Sequence, residues 1–223
     1  MVKPDSAVRR LMRDTGKLLQ PYGFHHDAGT HWARVEPGGV ASVGRSRALR
    51  TWTGGQQELR FGLDLDATPT TWWEYRNWCG ARQGLSPTPI EKASGPGQLT
   101  NHGLPDEVTG MWSLRLDPAQ DGQHALQADI EAIRDELPRR VHLYARRALR
   151  LVEPGRYLEE LLACPNPGIA TWEAIVVLLA ERGPGPRLDD AVGQLRACCA
   201  EQSASDYAEE VAIAFATARA ALV

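Results

Sequence analysis

The spacing of apolar and polar residues predicts a helix followed by a β-hairpin at the start of the chain. Apolar residues recur at helical spacing after Asp5 and Ser6, which have the residue types of helix caps, and Pro21 is expected to end this helix. Residues 30–35 and 40–46 then alternate on either side of a Pro-Gly-Gly turn. This pattern predicts two paired antiparallel strands.

Two more strands and one ambiguous segment are predicted before a mostly helical second half. Residues 58–66 alternate most cleanly and predict one strand, and residues 111–116 predict another. Residues 71–79 carry three tryptophans and a tyrosine and fit either a short helix or an irregular strand. Residues 80–107 are rich in glycine and proline, which predicts a long loop.

The second half of the chain has the periodicity of helices. Apolar residues three and four apart predict one long amphipathic helix from about Gln123 to Arg150, with a kink at Pro138. Shorter helices are predicted after it, at 156–163, 170–182, 187–202 and 204–222.

These elements predict an α+β fold. We expect an antiparallel four-stranded sheet, packed by an N-terminal helix and by the long Pro-kinked helix, and followed by a C-terminal helical bundle. The predicted domains are an α+β domain at 1–163 and a helical appendage at 166–223.

Composition and charge exclude several classes of protein. The 223 residues include 25 Lys+Arg and 28 Asp+Glu, a formal charge of -3, and 43% are hydrophobic. These values are ordinary for a soluble globular protein and unlike those of a disordered or collagen-like chain. Because there is no apolar run of membrane-spanning length and no signal-peptide pattern, we expect a cytoplasmic protein and no membrane association. Buried, unpaired thiols are expected, since no two cysteines have CxxC spacing among Cys79, Cys164, Cys198 and Cys199.

Several short motifs resemble one bacterial family. They are a turn at 19–24 reading LQPYGF, a strand at 30–34 reading THWAR, a strand end at 63–65 reading LDL, and a helix at 130–138 ending in Leu-Pro. Over about residues 5–163, this order resembles the bacterial family called domain of unknown function 4304. The resemblance implies no established reaction and no catalytic residues, and it is compatible with a role in toxin–immunity systems.

Arginine and tryptophan are the residue types that point to a binding surface. Arg45 and Arg47 are predicted to share one strand face near Trp52, where they could recognise a phosphate or a carboxylate. Tryptophan is enriched at binding hot spots, and the cluster at 71–79 could form a groove for a ligand or a partner or could pack the core. The candidate binding residues are Arg45, Arg47, Trp52, Trp72, Trp73 and Trp78.

An enzyme of unrecognised type is a second hypothesis. Asp64 and Asp66 are predicted to share a strand face with Arg60, where paired carboxylates could hold a metal ion or act as acid and base. The histidine cluster formed by His25, His26 and His31 is another candidate, although its spacing matches no known ligand pattern. Nucleotide-binding loops, nucleophile elbows and zinc-protease motifs are absent from the sequence. We therefore expect no catalytic residue, metal or cofactor.

A nucleic-acid binder is a third hypothesis. Residues 1–60 carry a charge of +5, and more arginines fall on the predicted long helix. Such a binder would use Arg45, Arg47 and Arg50 together with Arg139, Arg140, Arg146, Arg147 and Arg150. The net negative charge argues against it. The sequence therefore favours a non-enzymatic protein-binding, immunity-like or regulatory factor, with a protein partner and a possible homodimer through the C-terminal helices.

Overall fold

The computed structural model describes residues 2–100, 102–117, 124–202 and 206–223, with only the backbone described at 27, 28 and 206–208. The fold class is α+β, which confirms the prediction. The helices of the described residues are α1 (Pro4–Leu19), α2 (Thr70–Arg82), α3 (Asp106–Thr109), α4 (Gln127–Leu151), α5 (Arg156–Leu162), α6 (Ile169–Leu179), α7 (Pro186–Glu201) and α8 (Asp206–Ala220). The strands are β1 (His25–Ala28), β2 (His31–Glu36), β3 (Gly39–Arg45), β4 (Leu49–Thr53), β5 (Gln56–Phe61), β6 (Leu63–Pro69) and β7 (Trp112–Arg115).

The strands form two sheets. One is four-stranded in the order β1-β2-β3-β6, and the other is three-stranded in the order β4-β5-β7. The predicted hairpin is the pair β2 and β3. Strands β1 and β4 were not predicted, and β7, which the sequence does predict, pairs antiparallel with β5 in the three-stranded sheet.

The predicted strand at 58–66 is divided between the two sheets. Its interruption lies at Gly62, whose backbone N–H donates to Ser46 Oγ at 2.8 Å and whose carbonyl accepts from Ser46 N–H at 3.0 Å. Because these backbone groups bond to Ser46, β5 ends before Gly62 and β6 begins after it. Arg60 and Asp64 therefore lie on different strands in different sheets, and the prediction that Arg60 shares a strand face with the two aspartates was wrong. Asp64 and Asp66 both lie on β6, two residues apart.

The first and the longest helix both follow the predicted periodicity. α1 buries one apolar face, which includes Leu11 and Leu19, and leaves the opposite face to solvent. α4 continues through Pro138 as one helix of 25 residues. Its predicted start near Gln123 lies outside the described residues.

The chain divides into two compact units. The first contains residues 1–34, 42–65 and 101–149, and the second contains residues 35–41, 66–100 and 150–223. This division differs from the predicted boundary near 165, because the C-terminal helices share a unit with α2. The phenyl ring of Phe215 lies 5.2 Å from the ring of Tyr75 and 5.7 Å from that of Trp78, between ring centres. The side chains of the tryptophan-rich helix thus help to cover the otherwise exposed apolar surface of the C-terminal helices.

The C-terminal helices match their predicted positions. α5, α7 and α8 begin and end within about two residues of the predicted bounds, except that the predicted start of the last helix at 204 lies outside the described residues. α6 begins one residue before its predicted start and ends at Leu179, three residues before its predicted end. α6 buries residues on all sides, from Ala174 to Leu179, which is typical of a helix at the centre of a bundle. None of the described helices combines the length and the apolar character that spanning a membrane requires.

A carboxylate on the polar face of the three-stranded sheet joins all three strands. Glu58 on β5 accepts hydrogen bonds from the hydroxyls of Thr51 and Thr53 on β4 and of Ser113 on β7. The hydroxyl of Ser113, followed by that of Thr53, lowers the pKa of Glu58 below its usual value, because both donate to the ionised form.

Glu58→Gln is expected to lower the free energy of unfolding by about 1–2 kcal/mol at pH 7, since an amide accepts these bonds less well than a carboxylate. A carboxyl group whose pKa is lower in the folded state stabilises the fold above its unfolded pKa, and this contribution is lost as the pH falls. Urea denaturation should therefore show the deficit shrinking below about pH 4. Glu131→Gln, at an exposed position, is the control. If Glu58→Gln lowered the free energy of unfolding equally at pH 7 and below about pH 4, the prediction would be contradicted.

Candidate functional site

A groove lies between α1 and the strands β1 and β2, all within the first unit. Its volume is about 720 Å³. Arg9, Arg13 and Lys17 line it from α1, and His25 and His26 line it from β1. We call it the α1–β1 groove.

The helix places its three cations on one line. Arg9, Arg13 and Lys17 are four residues apart, so their side chains lie one above another on the same side of α1, at intervals of about 6 Å. All three side chains are exposed. The opposite, buried side of the helix, which includes Leu11, holds α1 against the rest of the first unit.

The floor of the groove depends on a glycine. A Cβ atom at Gly16 would lie 2.8 Å from Nε1 of Trp32, closer than side chains can approach. Gly16 therefore allows α1 to lie directly against the indole of Trp32 on β2. Trp32 is only 7% exposed, and the ring of His26 meets it edge-on with 6.0 Å between ring centres.

The charged side chains among the described residues that line the groove are all basic, and none of these residues is acidic. Lys17 makes a 3.5 Å ion pair with Asp14, but the Lys17 side chain is 75% exposed, and an exposed pair of this kind is weak. Arg9 bonds to the Ser6 hydroxyl and to the carbonyl of Asp5, and Arg13 has no ion pair within the described part of the chain. The arrangement can bind an anion or an acidic segment.

The predicted binding residues of the first unit are exposed to different degrees. Arg45 ends β3 and is half-buried, and its Nε has no hydrogen-bond partner among the described residues. Arg47 lies beyond the strand, in the segment between β3 and β4, so the prediction that it shares a strand face with Arg45 was wrong. Trp52 on the edge strand β4 is 71% exposed.

The predicted tryptophans of the second unit are all engaged in packing. Residues 71–79 fold as part of α2. Trp72 is buried against Tyr75, with 5.2 Å between ring centres. The indole N–H of Trp73 donates to the carbonyl of Thr88 at 2.7 Å, and Trp78 packs against Phe215 and under the guanidinium of Arg82. Their use as a binding surface stays a prediction.

The side chain of Tyr75 on α2 is buried, and its hydroxyl is hydrogen-bonded. It donates to a carboxylate oxygen of Glu173 at 2.6 Å, and burial together with this carboxylate raises the pKa of Tyr75. Burial also raises the pKa of the neighbouring Cys79 thiol. A thiol with a raised pKa is a poor nucleophile, so this cluster fits a structural role.

The candidate catalytic groups are dispersed. Asp66 uses its carboxylate to accept from the backbone N–H groups of Ala67 at 2.9 Å and Gly95 at 2.8 Å, which ties the segment around Gly95 to β6. His25 and His26 line the α1–β1 groove, and His31 packs its ring over Gly44. No group of three metal-ligating side chains comes together within the described residues.

The arginines of α4 do not form one surface. A nucleic-acid surface on α4 would need its arginines exposed, but Arg140 and Arg147 are only 8% and 9% exposed. The guanidinium of Arg140 lies over the ring of Trp112 and pairs with Glu136. These contacts remove Arg140 from any surface that could follow a phosphate backbone.

The sequence reading missed the cations of α1. The signal was present, because residues 9, 13 and 17 are basic at a spacing of four along the polar side of an amphipathic helix. This polar side becomes one wall of a groove only because β1 lies beside it, and β1 was not predicted.

Comparisons of the chain with family models, curated proteins and solved structures found no match.

Proposed function

We propose that this chain is a non-enzymatic binding protein that takes an acidic segment of a protein partner into the α1–β1 groove. The observation that carries the proposal is the line of Arg9, Arg13 and Lys17 along a groove whose described lining holds no acidic side chain. Complementary charge of this kind accelerates encounter and selects the partner. We also propose that the chain is related to domain of unknown function 4304, which it resembles. The role in toxin–immunity systems that this resemblance implies is compatible with binding a protein partner.

A protein segment fits the groove better than a nucleic acid does. Proteins that bind single-stranded nucleic acids stack bases on exposed aromatic rings. The aromatic residues of this groove are not accessible for stacking, since Phe24 is 2% and Trp32 is 7% exposed. A nucleic acid would extend beyond the groove over other parts of the surface, where the formal charge of -3 of the whole chain would repel it.

The test measures binding of a fluorescein-labelled peptide, Glu-Thr-Glu-Thr-Glu-Thr, by fluorescence anisotropy at low ionic strength. Arg13→Glu is expected to weaken binding about tenfold, because the reversal turns an attraction at the centre of the cation line into a repulsion. Added salt is expected to weaken binding by the native chain, because it screens exposed charges.

Arg10→Glu is the matched control, since Arg10 is an exposed arginine of the same helix that does not line the groove. It makes the same change in net charge and is expected to alter binding less than twofold. Equal weakening by both variants, or no binding of the peptide at millimolar concentration, would overturn the proposal. A labelled single-stranded DNA that binds more tightly than the peptide would favour a nucleic-acid partner instead.

A further inference from the structure

We propose, building on the function above, that the acidic segment binds as an extended strand added to the free edge of β1, with acidic side chains at alternate positions facing α1. The chemistry recognised is thus a β-strand of the pattern acidic-x-acidic-x-acidic. Four observations support this mode of binding.

The first observation is the position of β1 in its sheet. The strand order β1-β2-β3-β6 places β1 at an edge, with β2 as its one strand neighbour among the described residues. An edge strand presents backbone N–H and C=O groups that can pair with another extended chain. Addition of a strand at such an edge is a common mode of peptide recognition.

The second observation is that β1 turns back along α1. The backbone N–H of Phe24 donates to the carbonyl of Leu19 at 3.4 Å, so the strand starts beside the last residue of the helix. Two residues later, His26 pairs with Trp32, which packs at Gly16 in the last turn of the helix. The start of β1 therefore lies beside the Lys17 end of the cation line, and His25 and His26 line the same groove as the three cations.

The third observation is the size of the groove. The lining residues of α1 and of the turn after it run from Ser6 to Gln20, a length of about 21 Å at the helical rise per residue. About six residues of extended chain span this length. The groove therefore has room along α1 for a short extended segment.

The fourth observation is the agreement between two repeats. Side chains on one face of a strand recur every second residue, at about 6.6–6.8 Å. The cations at Arg9, Arg13 and Lys17 recur at about 6 Å along α1. Over three positions, the two lines differ by about 1.5 Å along the helix axis, and the cations turn by about 40° around α1 at each step; the long, flexible arginine and lysine side chains can lean to follow the strand. Three alternate carboxylates of one strand can therefore each meet one cation.

The experiment compares peptides of equal composition in the anisotropy assay. Glu-Thr-Glu-Thr-Glu-Thr is expected to bind at least tenfold more tightly than Glu-Glu-Glu-Thr-Thr-Thr, since only the first places three carboxylates on one strand face. Methylation of the backbone nitrogens at one set of alternate residues is expected to abolish binding. Methylation at the other set, whose N–H groups point away from β1, is expected to change affinity less than threefold.

The outcomes separate the mode of binding from the function. Equal affinity of the two peptides, or equal tolerance of both methylation patterns, would overturn the added strand. If Arg13→Glu still weakened binding in that case, the acidic-segment function would stand without it. Loss of the difference between Arg13→Glu and Arg10→Glu would instead overturn the function on which the added strand rests.

Discussion

Replacing Gly39 with alanine is expected to lower the free energy of unfolding by about 4 kcal/mol. Gly39 begins β3 with a φ of +150°, a backbone conformation that residues with a side chain rarely adopt. A Cβ atom here would lie 2.1 Å from the carbonyl oxygen of Thr68 and 2.9 Å from Cα of Pro69. Backbone strain and overpacking each cost about 1–3 kcal/mol, and here neither contact can move without shifting the main chain.

Urea denaturation followed by circular dichroism measures this effect. Gly193→Ala is the control, because Gly193 lies inside α7 with nothing within 4 Å of the added methyl group. That substitution is expected to stabilise the protein by about 0.5–1 kcal/mol through helix propensity. A Gly39→Ala variant that unfolds within 1 kcal/mol of the native chain would show that β3 can move away from Thr68.

Periodicity predicted the elements whose burial pattern is local. The β2–β3 hairpin and the helices α4 to α8 follow from spacings that the sequence displays directly. The break at Gly62 does not, because its cause is a pair of hydrogen bonds to Ser46, which is 16 residues away. The edge strand β4 was missed because four of its five residues are exposed, so it shows no alternation of apolar and polar positions. The edge strand β1 was missed because its sequence, His-His-Asp-Ala, does not alternate between apolar and polar residues.

The candidate site was predictable only in part. Sequence reasoning gave weight to tryptophan, and the structure uses Trp72 and Trp78 in the packing of α2 against its neighbours. The cations of α1 were visible in the sequence, but a line of charges on a helix usually means only that this side of the helix faces solvent. It indicates a binding site only when another element lies opposite and forms a groove with it. The groove exists because β1 lies beside α1, and this is a feature of the tertiary structure that the local sequence pattern does not show.

Arg140→Ala is expected to lower the free energy of unfolding by about 3 kcal/mol, the second large effect. Its guanidinium, 8% exposed, pairs with Glu136 at 2.7 Å and donates to the carbonyls of Val108 and Gly110. It also lies 4.6 Å from the ring centre of Trp112. Truncation leaves the carbonyl of the buried Val108 without this donor and removes the cation from the face of the buried Trp112, and both losses are costly. The Glu136 side chain is 54% exposed, so loss of its counter-ion adds little.

Arg139→Ala is the control that isolates burial from charge. Arg139 is the neighbouring arginine on α4 and pairs with Glu107 at 3.1 Å, but both side chains are more than 60% exposed. Its loss is expected to change the free energy of unfolding by about 0.5 kcal/mol or less in urea denaturation. The two arginines differ because Arg140 lies three residues after Leu137 and four before Tyr144, at the border of the apolar stripe. Equal effects of the two substitutions would mean that the contacts to Val108, Gly110 and Trp112 contribute nothing to stability.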